Sequence, residues 1–178
     1  MTIEKQKQIA DYLLSMLDII DPSCILAGGA PRDWFFNQEA TDLDIYLCLG
    51  DISLQDMHKQ LYNIGLIDSS QSCNADFLDN DDYIKSDRFK WILTFYYEGQ
   101  KVQIMVMYKP VVESVLSHFS LSICKIWYKA GVVHITSEFL KTVEEKIIRQ
   151  TETAFGMDYV NKISQKFPDY TFIDMQEF

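Results

Sequence analysis

Two glycines and two aspartates within 20 residues of each other are the residues of this chain best suited to chemistry. Asp42-Leu43-Asp44 opens an apolar stretch with the pattern of a strand. Side chains two positions apart on a strand point to the same face. Two carboxylates on one face can hold a pair of Mg²⁺ or Mn²⁺ ions, which stabilise the attacking and leaving oxygens in phosphoryl or nucleotidyl transfer. The spacing therefore predicts Asp42 and Asp44 as catalytic metal ligands.

The glycine pair precedes a predicted helix and suits an anion. Gly28-Gly29 follows a short apolar run, and glycine lets a backbone approach a ligand without obstruction by a Cβ atom. Pro31 is typical of a first helical turn, where its missing N–H costs nothing. Free N–H groups at a helix start attract phosphate. We therefore expect Gly28 and Gly29 to form an anion-binding turn close to the two carboxylates.

The elements around these residues alternate in a way that favours an α+β fold. Apolar spacing and turn signals predict helices over 3–20, 31–36, 53–61, 137–150 and 156–166, with a short helix from Pro110, and strands over 24–27, 42–49, 89–97, 101–108, 122–128 and 132–136. The polar, acidic stretch 68–87 reads as a loop. Hairpins and terminal helices favour a mixed, mostly antiparallel sheet flanked by helices over a doubly wound parallel sheet.

The length and net charge of the chain limit its domain number and the classes of function open to it. The chain has 178 residues, which predicts one domain over 1–178 with C-terminal helices from about 137. Its net charge of −10 argues against a broad basic face for nucleic acid, but not against a small basic pocket for a nucleotide. No apolar run is long enough for a membrane span, and no signal peptide is evident. The four cysteines form no paired motif, which favours free thiols and a cytoplasmic protein.

The glycine and aspartate motifs carry a family resemblance. Gly-Gly-Ala-Pro-Arg-Asp at 28–33, followed by Asp-Leu-Asp at 42–44, resembles the head motif of the tRNA nucleotidyltransferases and poly(A) polymerases. This resemblance implies a nucleotidyltransferase-like, polymerase β-like sheet. It also implies that Gly28 and Gly29 contact the triphosphate of an NTP, that Asp42 and Asp44 bind the metals, and that Arg32 reaches phosphate or braces the loop.

Two other segments qualify this resemblance. Many members of the superfamily carry a third carboxylate on a later strand, where this chain has Gln103. A neutral amide is a poor substitute for a carboxylate, both as a general base and as an Mg²⁺ ligand. The segment 119–124 is similar to one in small nucleotidyltransferase-like proteins of phages and large DNA viruses, in which an aspartate often takes the position of Ser120.

Several other residues have both a functional and a purely structural interpretation. Arg32 and Asp33 could form a structural ion pair, and the aromatic residues 34–36 read as core. Candidate triphosphate contacts, each of which is by itself an ordinary surface charge, are Arg88, Lys90, Lys101 and Lys125. Trp91 and Tyr97 could stack a base or pack in a hairpin core.

The sequence thus supports three hypotheses. The favoured one is an Mg²⁺-dependent enzyme that moves an NMP from an NTP to a hydroxyl or phosphate acceptor, which could be RNA, protein or a small molecule. The alternative is a catalytically weakened binding module with a host-protein partner, such as an antitoxin or a phage inhibitor of a host enzyme. Gln103, Ser120 and the acidic charge motivate it. In the third, the motif is coincidental.

Overall fold

A six-stranded sheet forms the centre of the fold. The computed structural model describes residues 1–67, 89–108, 112–117, 119–150 and 157–174. The strands are β1 Ile25–Ala27, β2 Asp42–Leu47, β3 Phe89–Tyr97, β4 Gln100–Met107, β5 Ile126–Lys129 and β6 Val132–Ile135. Their order is β3-β4-β2-β1-β5-β6, with β2 and β4 parallel and the other neighbours antiparallel. The predicted α+β class and mixed, mostly antiparallel sheet are confirmed.

Six helices surround the sheet within the described residues. They are α1 Ile3–Leu17, α2 Gly29–Phe35, α3 Leu54–Asn63, α4 Val112–Ser117, α5 Ser137–Glu145 and α6 Met157–Lys166. Local signals fix several ends. Ser53 caps α3, because its Oγ accepts from the backbone N–H of Asp56 and donates to the Asp56 carboxylate. No helix among these residues is long and apolar enough to cross a membrane.

Alternation along β2 decides which side chains reach the functional side of the sheet. Leu43, Ile45 and Leu47 are buried in the main core against α1 and α2. Asp42, Asp44 and Tyr46 therefore face the opposite side of the sheet. Burial of the leucine and isoleucine side chains locks this register, since a slip by one residue would expose them all.

A second, smaller core lies under the C-terminal elements, and it differs from the prediction. The helix expected over 137–150 ends at Glu145, because Lys146 turns the chain with a φ of 54°. Thr136 caps this helix, because its Oγ1 accepts from the Phe139 N–H. The chain then forms β7 Ile147–Gln150, which pairs in parallel with β8 Thr171–Asp174, so the region after 137 is not purely helical.

Smaller corrections concern element ends. Residues 122–124 form a 3₁₀ turn rather than the start of a strand, because the Ser122 hydroxyl accepts bonds from the Thr142 hydroxyl and the Arg149 N–H. Helix α1 stops at Leu17 and β2 at Leu47, while α2 begins at Gly29, before Pro31. The loop expected over 68–87 and the start of the helix expected from Pro110 lie outside the described residues.

Candidate nucleotide and metal site

A cavity of about 230 Å³ opens beside the ends of β1 and β2. The residues from both sequence motifs line it together: Gly28, Gly29, Arg32, Asp42 and Asp44. The remaining polar wall consists of Gln103, Lys162 and Tyr159, and the apolar wall of Tyr46, Phe89, Met107, Val115, Phe119 and Ile163. The cavity therefore combines an acidic floor, a glycine turn, cationic groups and an apolar side.

The two aspartates differ in their surroundings. Asp42 is about one-third exposed, and its Oδ2 lies 3.7 Å from the Lys101 ammonium. Asp44 Oδ1 is buried and has no hydrogen-bond partner within the part of the chain that the structure describes. Burial, followed by repulsion from Asp42, raises the pKa of Asp44 to about 7, although Lys101 and other nearby cations act against this rise. Among the described residues, Asp44 thus forms no ion pair, and the nearby cations lower its pKa only in part.

The two glycines have different roles in the turn. Gly28 has a φ of +82°, and a Cβ added there would lie 3.1 Å from ring carbons of Phe119. Its N–H is already engaged, since it donates to the Ile126 carbonyl at 3.1 Å. Beside Gly29 the nearest atom to an added Cβ is Arg32 Nη2, at 3.8 Å. The left-handed conformation at Gly28 therefore requires glycine, whereas a Cβ at Gly29 would meet only the Arg32 guanidinium, at ordinary van der Waals distance.

Arg32 is held rigidly at the cavity by buried partners. Its Nε and Nη2 both donate to Asp33 Oδ1 at 2.8 Å, and its Nη1 lies 3.4 Å from the Cys124 sulfur. Burial opposes the charge of Arg32, but Cys124 and Asp33 outweigh it and keep its pKa above the usual value. Lys166 from α6 completes the cluster with a 2.6 Å bond to Asp33 Oδ2. Arg32 therefore has both interpretations at once: it forms a structural ion pair with Asp33, and it lines the cavity as a cation.

Helix α6 supplies groups that sequence reasoning missed. Tyr159 and Lys162 line the cavity, and the Tyr159 hydroxyl lies 3.3 Å from the Cys124 sulfur. Ile163 and Phe167 fix the helix in the second core. An amphipathic helix with lysines gives no motif, so its cations look like ordinary surface charges in the sequence.

Other predicted contacts lie elsewhere. Lys90 bonds Asp51 at 2.6 Å, and Lys125 pairs with Glu138, so each has an acidic partner outside the residues that line the cavity. Tyr97 stacks on Tyr12, with ring centroids 5.5 Å apart. Trp91 packs against the main core, as does buried Trp34, whereas Phe35 is 38% exposed. Arg88 lies outside the described residues.

The donor set of the cavity fits a hard divalent cation. Carboxylate oxygens are the ligands that Mg²⁺ and Mn²⁺ prefer, and a buried carboxylate oxygen without a partner is one that a cation would satisfy. No group of three or more His, Cys, Asp or Glu side chains suited to a metal occurs among the described residues. Any cation here would therefore rest on two acids and on oxygens of another type.

Solved structures identify the class of fold. A CCA-adding enzyme in an apo form is 16% identical, with a TM-score of 0.62 over 98% of this chain and 41% of its own. A CCA-adding enzyme with ATP is 14% identical, with a TM-score of 0.60 over 97% and 40%. The Thermotoga maritima CCA-adding enzyme complexed with tRNA is 15% identical, with a TM-score of 0.52 over 86% and 36%. The chain thus has a nucleotidyltransferase-like fold and spans about two-fifths of the length of these enzymes.

The sequence assigns the chain to a narrower family than the fold does. Residues 3–146 match the profile of the Gad2 family, described as Gabija anti-defense 2 family proteins. The chain therefore belongs to the Gabija anti-defense 2 family. No protein of curated function matches it. The matched range includes both sequence motifs but ends before β7 and α6, which supply Tyr159 and Lys162.

Proposed function

We propose that this protein is a metal-dependent nucleotidyltransferase that moves an NMP from an NTP to a hydroxyl or phosphate acceptor. One observation carries the proposal: Asp42 and Asp44 line the same cavity as the glycine turn, and a buried oxygen of Asp44 has no partner among the described residues. This arrangement leaves both carboxylates available to a cation beside a surface that a polyphosphate can approach. The likeness to NTP-using enzymes supports it at the level of fold.

The residues of the cavity divide the work of such a transfer. Asp42 and Asp44 would hold Mg²⁺, which neutralises charge on the reacting phosphate when bound. Arg32, fixed by Asp33, and Lys162 place positive charge at the cavity wall for a triphosphate. Gly29 leaves room for that phosphate chain to lie against the backbone.

The test is transfer of label from α-phosphate-labelled NTPs. Purified protein is incubated with each of the four NTPs, Mg²⁺ and a host lysate as the source of acceptors. We expect Mg²⁺-dependent labelling that Asp44→Asn lowers by at least about 100-fold, since this change replaces a charged carboxylate ligand by a neutral and weaker amide. Asp169→Asn, at an exposed site in a turn, serves as a matched control. Absence of labelling with every nucleotide, or equal labelling by Asp44→Asn, would count against the activity.

The family description directs the proposal towards counter-defence. Its members are described as acting against Gabija, so we propose that the acceptor, or a protein partner bound without transfer, belongs to the targeted host system. Mass spectrometry of Gabija components co-expressed with this protein would detect an added NMP. Unmodified components in the presence of full counter-defence would exclude them as acceptors.

A second candidate function is binding without catalysis. Gln103 lines the cavity in place of a third acid. The net charge of −10 favours binding to a basic surface on a partner protein. The double variant Asp42→Asn with Asp44→Asn separates the two functions in cells that carry Gabija. Counter-defence that survives this variant favours the binding module, whereas its loss with unchanged protein levels favours the enzyme.

A further inference from the structure

Gln103 lies beside Asp44 at the position where a further ligand would complete the cation site. In the parallel pairing of β2 with β4, Gln103 is the direct partner of Asp44. Both side chains line the cavity. The described residues offer no cluster of three His, Cys, Asp or Glu side chains suited to a metal, so among them a third protein oxygen would come from a neutral group.

A hydrogen bond to the next strand gives the Gln103 amide a defined orientation. Thr94 is the partner of Gln103 across β3 and β4, and its Oγ1 accepts from Gln103 Nε2 at 3.2 Å. Because the donor end of the amide is engaged on β3, the carbonyl oxygen is the end left for the cavity. Amide oxygens are ordinary ligands of hard cations, and metal ligands are commonly fixed by such outer hydrogen bonds.

The charge of the three ligands favours a single cation. Two carboxylates and one amide carry a formal charge of −2, which one divalent cation balances. Lys162 and Arg32 line the same cavity, and Lys101 lies 3.7 Å from Asp42, so a second divalent cation would add to positive charge already present. Its charge would need the phosphates of a nucleotide as counter-ions.

We propose that Gln103, positioned by Thr94, is the third oxygen ligand of one divalent cation that Asp42 and Asp44 hold before any nucleotide binds. The proposal rests on the proposed function, because it uses the same metal site. It adds a neutral amide ligand to the two carboxylates. It also predicts one cation per nucleotide-free chain, which a third carboxylate would not impose. Gln103 thus sets the charge of the site, and Thr94 is its positioning residue.

The experiment is a titration of the nucleotide-free full chain with Mn²⁺. Binding is monitored through the electron paramagnetic resonance signal of the free ion. We expect one Mn²⁺ per chain in the wild type. Gln103→Leu should weaken binding by about tenfold or more, and Thr94→Val by a similar factor, as losses of outer partners of metal ligands do. Thr94→Ser keeps the hydroxyl and should restore wild-type affinity. Gln103→Glu should tighten binding by about tenfold, since ligand charge tunes cation affinity.

Tyr96→Phe, at an exposed position on β3, is the control and should bind as the wild type does. The inference is overturned, while the proposed metal site stands, if Asp44→Asn abolishes binding and Gln103→Leu does not change it. Two Mn²⁺ ions per nucleotide-free chain also overturn it. If the wild type binds no Mn²⁺ without nucleotide, the inference fails; transfer activity in the labelling assay then shows whether the proposed function survives.

Discussion

Replacing Asp44 by asparagine should stabilise the metal-free protein at neutral pH. Asp44 is a carboxyl with a buried oxygen that lacks a partner among the described residues, and burial and Asp42 raise its pKa to about 7. In the unfolded chain the pKa is near 3.8. Between these values the folded protein binds more protons than the unfolded chain, so the stability of the metal-free wild type falls as pH rises from about 4 to about 7.

The size of the gain follows from the same pKa values. Each pKa unit corresponds to about 1.4 kcal/mol, so a rise from 3.8 to about 7 sets an upper limit of about 4 kcal/mol. Asp44 as a whole residue is only half-buried, and the new amide must itself be satisfied. We therefore expect about 2 kcal/mol at pH 8, which raises the Tm of a chain of this size by roughly 4–8 °C.

Thermal and urea unfolding in EDTA at pH 5 and pH 8 measures this effect. The Asn variant should gain over the wild type at pH 8 and much less at pH 5, and Asp169→Asn should follow the wild type at both. Added Mg²⁺ should stabilise the wild type at pH 8 but not Asp44→Asn, because only the former keeps both carboxylates. An Asn variant that is less stable than the wild type at pH 8 in EDTA would refute this reasoning.

Three further predictions concern packing and reactivity around the site. Asp33→Ala should destabilise the fold by about 3–5 kcal/mol, because it leaves a buried guanidinium without its partner; a loss under 1 kcal/mol in urea unfolding would contradict this. Gly28→Ala should cost about 1–3 kcal/mol through its positive φ, whereas Gly29→Ala should fold normally and bind NTP more weakly; equal unfolding curves for the two variants would argue otherwise. Burial raises the pKa of Cys24 to about 12, so a thiol reagent at pH 8 should label half-buried Cys48 before Cys24, and rapid labelling of Cys24 in the native protein would disprove it.

The sequence predicted the part of the site that local rules control. Glycines before a helix and aspartates two apart on a strand have meaning within a few residues, and the cavity contains all of them. The sheet class was equally accessible, because the β3–β4 hairpin and the capped helix α3 carry clear turn and cap signals. The sequence could not show that α6 reaches the same cavity, since this depends on Lys166 pairing with Asp33 across more than 100 residues.

The errors at the C-terminal end have a physical origin. The helix α5 ends at Lys146, which adopts a left-handed conformation without a glycine or proline to signal it. Strands β7 and β8 have four residues each and pair in parallel, so neither alternation nor a hairpin turn marks them. The sequence could not show the ion pairs of Lys90 and Lys125, because their acidic partners are distant in the sequence or on another element.

The central claim is that the two aspartates and the glycine turn hold a cation and a triphosphate together. Crystals of the protein with Mn²⁺ and a non-hydrolysable NTP test it directly through the anomalous signal of manganese. We predict a manganese peak about 2 Å from carboxylate oxygens of both Asp42 and Asp44, with the triphosphate beside Gly29. A bound nucleotide with manganese elsewhere, or a cavity that stays empty of both at saturating concentrations, would contradict the account.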